Sequence, residues 1–195
     1  MKRFSPLNNC HIKGLFGNHE SKNENELIKI SENKDKSIFQ IVRLKNSKIS
    51  INNMKIFDLN FSDEKLKVTT NENTRILWMG PGNWLIISDQ KNIESEINKS
   101  FSENDFALTN LSHSRAIIQF EGKNLKEVLK KGCPLNFSEL KKNNCANSVF
   151  HGITNTIDFV SDNPEKIRIL CLRSFGESLY HSITDACLEF GYKTI

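Results

Sequence analysis

The sequence predicts an α+β fold made of antiparallel or mixed sheets with a few flanking helices. Three observations carry this. Ser37–Leu44 alternates its side chains as a strand does, with Ile38, Gln40 and Val42 on one side and Phe39, Ile41 and Arg43 on the other. Arg75–Met79 and Trp84–Ser88 flank Gly80-Pro-Gly-Asn83, where Pro at the second turn position and Gly at the third give type II chemistry. Near the end, Leu179, Ile183, Cys187 and Phe190 recur at helical spacing. Short strands joined by hairpins and broken by single helices fit a segregated α+β architecture rather than repeated βα units.

The elements follow in order. Residues 1–36 are polar and rich in Asn, Glu and Lys, with short apolar patches around Ile12, Leu15 and Phe16 and around Leu27, Ile28 and Ile30. They read as an extended N-terminal arm holding one strand, parts of which order only against a partner. Residues 37–195 read as a single α+β domain, with a division into two small subdomains near 104. After the strand Ser37–Leu44, weaker strands span Asn46–Asp63 and are interrupted at Asn52-Asn53. The hairpin comes next. A helix spans Asn92–Phe101, capped by Asn92, with Ile93, Ile97 and Phe101 on its apolar face. Ala116–Phe120 is an apolar strand. Asn124–Lys131 is a second helix, with Asn124 as cap, Glu127 in the first turn and Gly132 as its stop before Pro134. Two strands lie in Ala146–Val160 and one in Lys166–Leu172. The final helix opens on a capping-box pattern, Ser174 and Glu177, and ends at Gly191, with His181 off its buried stripe.

Composition narrows the function. A chain of 195 residues buries one good core or two small ones. With 37% apolar and 26% charged residues it reads as a soluble globular protein. No run approaches the roughly 18 apolar residues of a membrane span. Met1-Lys-Arg-Phe-Ser-Pro is basic but lacks the apolar region of a secretory signal, so a cytoplasmic location is expected. The net charge is +4, yet the lysines alternate with Glu and Asn; Lys130-Lys131 and Lys141-Lys142 are short groups on solvated surface. Nucleic acid is therefore not an expected partner.

The cysteines, at positions 10, 133, 145, 171 and 187, are odd in number and include no Cys-x-x-Cys. Cys145 and His151 lack a second ligand pair, so no metal site is expected. Cys171, in Ile169-Leu-Cys-Leu172, and Cys187, on the final helix, read as small buried hydrophobes. Gly80-Pro-Gly82 is not a phosphate loop, because Pro81 removes an amide donor and no Lys-Ser/Thr follows. No dinucleotide fingerprint follows a strand.

The remaining candidates are structural. Trp78 and Trp84 can pack near one another across the hairpin and read as core or interface anchors. Ser112, His113 and Arg115 sit where a polar turn enters a strand. Neighbouring residues seldom share triad geometry, so the expectation is a hydrogen-bonded turn with Arg115 satisfying a carboxylate or carbonyls. Cys133 follows a helix C-terminus, whose negative partial charge disfavours a thiolate. No catalytic, cofactor-binding or metal-binding residue is assigned; Trp78, Trp84, His113, Arg115 and Cys133 are candidates for structural or subunit-interface roles.

Four blocks taken together carry a family likeness: Leu77-Trp-Met-Gly-Pro-Gly-Asn-Trp-Leu85, Thr109-Asn-Leu-Ser-His-Ser-Arg115, Leu129-Lys-Lys-Gly-Cys-Pro-Leu-Asn136 and Cys145-Ala-Asn147. In order and spacing they resemble the gamma subunit of heterotetrameric sarcosine oxidase. Ser5-Pro-Leu7 and Arg173-Ser-Phe175 agree with it, and the likeness covers roughly residues 74–190. That family is similar in turn to the N-terminal folate-binding region of the glycine-cleavage T-protein. The resemblance implies a non-catalytic subunit of a complex that oxidatively demethylates sarcosine to glycine. Hydrogen peroxide, and formaldehyde or methylenetetrahydrofolate, are the implied products. It implies alpha, beta and delta subunits as partners, with FAD, FMN, NAD and zinc on those partners and tetrahydrofolate used by the complex. Aminomethyltransferases carry an acidic pair downstream on a Gly-rich hairpin; Cys145–Val160 is shorter here and holds only Asp158, read as a lone exposed carboxylate. The alternatives are a stand-alone folate-dependent aminomethyltransferase-like protein, a subunit of a related N-methyl amino-acid oxidase, and an unrelated small binding module.

Overall fold

The structure of the protein, a computed structural model, describes residues 4–195; the first three residues of the basic N-terminal sequence lie outside the described residues. The strands and helices run β1 (Gly14–Phe16), β2 (Ile28–Glu32), β3 (Ser37–Arg43), β4 (Lys55–Ile56), β5 (Leu59–Asn60), β6 (Val68–Thr70), β7 (Thr74–Gly80) and β8 (Asn83–Ser88). There follow α1 (Ile93–Ser100), β9 (Phe106–Asn110), β10 (Arg115–Glu121), α2 (Leu125–Lys130), β11 (Cys145–Phe150), β12 (Ile153–Asp162), β13 (Glu165–Leu172), α3 (Gly176–Cys187) and β14 (Tyr192–Thr194). The fold is α+β, as the sequence predicts.

The chain divides into two compact units. The larger comprises Met1–Lys34, Ser114–Lys142 and Ala146–Ile195; the smaller comprises Asp35–His113 and Asn143–Cys145. The boundary falls at residues 34/35 and 113/114, and not near 104. Residues 1–36 are not an appended arm either. Both of their apolar patches became strands, β1 and β2, inside the larger unit's sheet.

That sheet has the order β1-β14-β2-β10-β13-β12-β11. β14 runs parallel to β2, whereas β1–β14, β2–β10, β10–β13 and β13–β12 are antiparallel. One face is apolar in every long strand: Ile28 and Ile30, Ile118 and Phe120, Ile167 and Ile169, Ile157 and Phe159. The buried stripes of α2 (Leu125, Val128, Leu129) and α3 (Leu179, Ile183, Cys187) join the same core. Burying each such Ile or Leu contributes about 1.5–3 kcal/mol.

The smaller unit is a five-stranded antiparallel sheet, β6-β7-β8-β3-β9. Its core takes Phe39 and Ile41 from β3, Ile76 from β7, Trp84 and Ile86 from β8, Ile93 and Ile97 from α1, and Met54, Ile56 and Leu59 from around the small β4–β5 hairpin. Phe61 meets Trp84 edge-on at 5.4 Å, and Phe101 meets Phe106 in the same way at 5.0 Å. Such ring pairs add about 0.5–1.5 kcal/mol beyond their area. The β7–β8 turn has Gly82 at φ +67°, as type II chemistry requires, and Trp78 lies opposite Trp84 in register.

The expected helix caps are corrected by the structure. Asn92 and Asn124 stand at the cap positions, but neither side chain makes a cap bond. Asn124 is left-handed at φ +65°, outside the extended backbone from which a cap side chain reaches its helix. The Ser174–Glu177 box does not form, because Arg173–Phe175 make a 3-10 turn and α3 begins only at Gly176.

The sharpest backbone constraint is at Gly17, at φ +70°, where a Cβ would lie 2.3 Å from the Leu188 carbonyl oxygen. At Gly82 the nearest atom to an added methyl, Arg43 Cβ, is 3.7 Å away. Gly17→Ala therefore combines left-handed strain with a clash and should cost about 2–4 kcal/mol. Gly82→Ala should cost only about 1–2 kcal/mol. Urea unfolding of the two variants checks this; equal losses would refute the close-contact argument.

Candidate functional site

The Ser112–Arg115 segment is divided between the units, Ser112 and His113 in the smaller and Ser114 and Arg115 in the larger. Ser112 is buried. The Ile38 N–H donates to its Oγ at 2.9 Å, its hydroxyl donates to the Ile38 carbonyl at 3.4 Å, and its own N–H donates to Asn110 Oδ1 at 3.0 Å. The hydroxyl thus ties the end of β9 to the start of β3. His113 is exposed. Half-buried Arg115 donates to the Ser114 carbonyl at 3.3 Å and to its hydroxyl at 3.2 Å. A carbonyl was one of the partners expected for Arg115.

Trp84 is buried in the smaller unit's core, and its indole N–H donates to the Ser62 carbonyl at 2.8 Å. Trp78 packs against the same core less completely. Cys133 is buried just past α2, its Sγ 3.1 Å from Ser148 Oγ. The His151 N–H donates to the Gly132 carbonyl at 3.0 Å, and its ring lies so close over Gly132 that a Cβ there would sit 2.7 Å from Cδ2. On β12, Asn155 is 3% exposed, and its Oδ1 has no hydrogen-bond partner.

Asp158 is the principal correction. It is 0% exposed, not a solvent-facing carboxylate. It lies on the face of the larger sheet opposite the helices, in a row the sequence reading missed. Register places Gln119 opposite Arg168 and Arg168 opposite Asp158. Gln119 Oε1 accepts from Arg168 Nε at 3.0 Å and from Asn33 Nδ2 at 3.0 Å. Two residues before Asp158 on β12, Thr156 donates to Asn147 Oδ1 at 2.8 Å. Each member of the row is bracketed by core residues: Ile118-Gln119-Phe120, Ile167-Arg168-Ile169 and Ile157-Asp158-Phe159. That shared apolar–polar–apolar pattern was the available signal. A buried carboxylate is costly unless charge and hydrogen bonds compensate it, and register sets Arg168 on the strand beside Asp158.

A small cavity in the larger unit's core is lined by Phe120, Leu125, Val128, Leu129, Ile167 and Ile183. Its lining is apolar, so it is a packing gap without groups to orient a ligand. Among the described residues, no group of three His, Cys, Asp or Glu could hold a metal ion, and no helix is long and apolar enough to cross a membrane.

No protein-family model and no curated protein matches the sequence. Among solved structures, the chain is similar to a chain of the heterotetrameric sarcosine oxidase from Corynebacterium sp. U-96 in complex with pyrrole 2-carboxylate. The TM-score is 0.78 at 21% identity, and the match covers 96% of each chain. It is also similar to the glycine cleavage system aminomethyltransferase T from Bartonella henselae, with a TM-score of 0.59 at 8% identity, over 88% of this chain and 48% of that one. The chain thus spans about half the length of the aminomethyltransferase. At these identities the likeness is one of fold, and it is the fold class that the sequence predicts.

Two outcomes follow from this geometry. Ser112→Ala leaves the Ile38 N–H without its partner and should lower stability by about 1–2 kcal/mol, whereas His113→Asn should stay within about 0.5 kcal/mol; chemical denaturation compares them. The thiols give the second. All five cysteines are free, and Cys10 is the least buried. Burial pushes Cys171 and Cys187 up to about 12, against partial opposition from Arg115 and Lys131 respectively. A thiol-reactive dye at pH 8 should label Cys10 first and reach the others only on unfolding. Because these two folded-state values lie above the ordinary 9.0, stability present below pH 9 should be lost as pH rises towards 12. Fast native labelling of Cys171, or a stability flat across that window, would contradict the burial.

Proposed function

We propose that this chain is a non-catalytic, structural subunit of a sarcosine oxidase-type complex that oxidatively demethylates sarcosine to glycine. The observation that carries this reading is the correspondence of fold along 96% of both chains with a chain of heterotetrameric sarcosine oxidase. The four sequence blocks at Leu77–Leu85, Thr109–Arg115, Leu129–Asn136 and Cys145–Asn147 support it. So does the use of the Ser112 hydroxyl, which is spent on the Ile38 backbone. In this reading alpha, beta and delta subunits are the partners. FAD, FMN, NAD and zinc reside on them, and tetrahydrofolate receives the one-carbon unit elsewhere in the complex.

The surface of the larger unit fits a subunit. Phe4 is 72% exposed, and Leu172 and Phe175 lie nearby in the open. The Arg173 guanidinium donates to the Phe4 carbonyl and so joins the N-terminal segment to the β13–α3 connection. Grouped apolar side chains of this kind mark protein interfaces. A stand-alone aminomethyltransferase fits less well, because Asp158 is buried and the chain spans about half of that protein's length.

Co-expression with the flavin subunits and the small Cys-rich subunit tests the proposal. The chain should copurify with them in fixed ratio, and alone it should be colourless and inactive as an oxidase. A flavin band that stays with this chain after separation, or a monodisperse monomer without affinity for the flavin subunits, would overturn the subunit role. Tetrahydrofolate should not saturate the isolated chain below roughly 1 mM, a binding free energy of about 4 kcal/mol. Micromolar binding abolished by Asp158→Ala would favour the aminomethyltransferase instead.

A further inference from the structure

Between Asp35 and Asp58 the sequence contains no acidic residue. In the smaller unit this stretch runs from β3 through a loop into the β4–β5 hairpin. Lys45, Lys48 and Lys55 are exposed and Arg43 is half-buried. Among the described residues, none of these cations takes part in an ion pair. Lys36, at the head of the stretch, differs in being held by Asp89.

The loop that carries the lysines has a defined shape. The Leu44 N–H donates to the Asp105 carbonyl at 2.8 Å, the Ser47 N–H to the Leu44 carbonyl at 3.1 Å and the Ile49 N–H to Ser47 Oγ at 3.2 Å. Arg43 reaches along the loop and donates from Nη1 to the Ile49 carbonyl at 3.3 Å. A single 3-10 turn, Ile51–Asn53, leads to Met54, which is buried in the core. Both ends are therefore anchored, and between them Ile49 stands 38% exposed among the lysines.

We propose that this loop docks the chain onto an acidic surface of a partner protein, an inference that rests on the subunit role above and takes the flavin-bearing subunits as that partner. Unpaired like charges repel one another in the free chain, and an acidic partner surface removes that repulsion. The anchored backbone lowers the ordering cost of docking, and Ile49, next to Lys48 in the loop, supplies an exposed apolar contact. Nucleic acid fits less well. No aromatic residue lies between Phe39 and Phe57 to stack a base, and the one Arg, the side chain best shaped for phosphate, is bound to its own loop.

The test measures association of the purified full chain with the immobilised flavin-bearing subunits as a function of salt. Wild-type association should slow steeply as salt rises. Lys45→Glu/Lys48→Glu should slow association ~10-fold or more at about 50 mM salt, with the difference closing at high salt. Lys91→Glu/Lys99→Glu makes the same charge change on exposed lysines around α1 and should leave the rate near wild type. Salt-independent association of the wild type, or equal slowing by both double variants, would overturn the docking surface while leaving the subunit role intact. Failure of the wild type to associate at all would overturn the subunit role, and the docking surface with it. Salt-sensitive capture of a tRNA probe by the wild type, lost in Lys45→Glu/Lys48→Glu, would reassign the loop to nucleic acid.

Discussion

The larger unit depends on β2. Its five residues sit inside the sheet, taking antiparallel bonds from β10 on one side and parallel bonds from β14 on the other. Ile28 and Ile30 enter the core at 1% and 0% exposure. Without β2, β14 has no interior partner, and β1, which pairs only with β14 in the sheet order, has none either. The polar N-terminal stretch is thus held in place by long-range pairing with residues near 118–121 and 192–194, not by its own propensity. Parallel neighbours need a crossover, and here the crossover is almost the whole chain.

The same pairing explains how one chain makes two units. β2 and β10 are adjacent in the sheet, yet residues 35–113 intervene between them, and nearly all of the smaller unit is that insertion. The Asn33 N–H donates to the Ile117 carbonyl at 2.9 Å, so the points where the chain leaves and re-enters the larger sheet lie close together. Loop-closure entropy rises only slowly with length, and an inserted segment that folds on its own core adds little further cost. β3 to β9 have such a core, built on Trp84, Phe61, Phe101 and Phe106.

What was legible in the sequence follows the range of the forces involved. The β7–β8 hairpin was readable because its turn chemistry is local and Pro81-Gly82 leaves few alternatives. α3 was readable because Leu179, Ile183 and Cys187 make a stripe without outside help. β14 and β9 were not, since Tyr192–Thr194 is three residues long and Phe106–Asn110 is an edge strand that buries only Phe106. β2 showed as an apolar patch, but nothing local distinguishes Ile28-Lys-Ile-Ser from an arm that orders on a partner. Helix caps failed for a related reason. Asn92, Asn124 and Ser174 have the right side chains, and tertiary packing set their backbones in conformations from which no cap bond forms.

The candidate site shows the same division more sharply. Ser112, His113 and Arg115 drew attention as neighbours in sequence, yet the fold gives them separate tasks: Ser112 joins β9 to β3, Arg115 braces Ser114 and His113 faces solvent. Gln119, Arg168 and Asp158 are far apart in sequence and are brought into one row by register. Any single polar residue between two core residues is ordinary strand alternation with one face turned outward. Three of them aligned across β10, β13 and β12, with the last at 0% exposure, cannot be an outward face. Gln119 and Arg168 are half-buried and Asp158 is fully buried, so the row runs from partial exposure into a covered carboxylate. A carboxylate buried in such a row is poorly placed to receive a charged group from solvent.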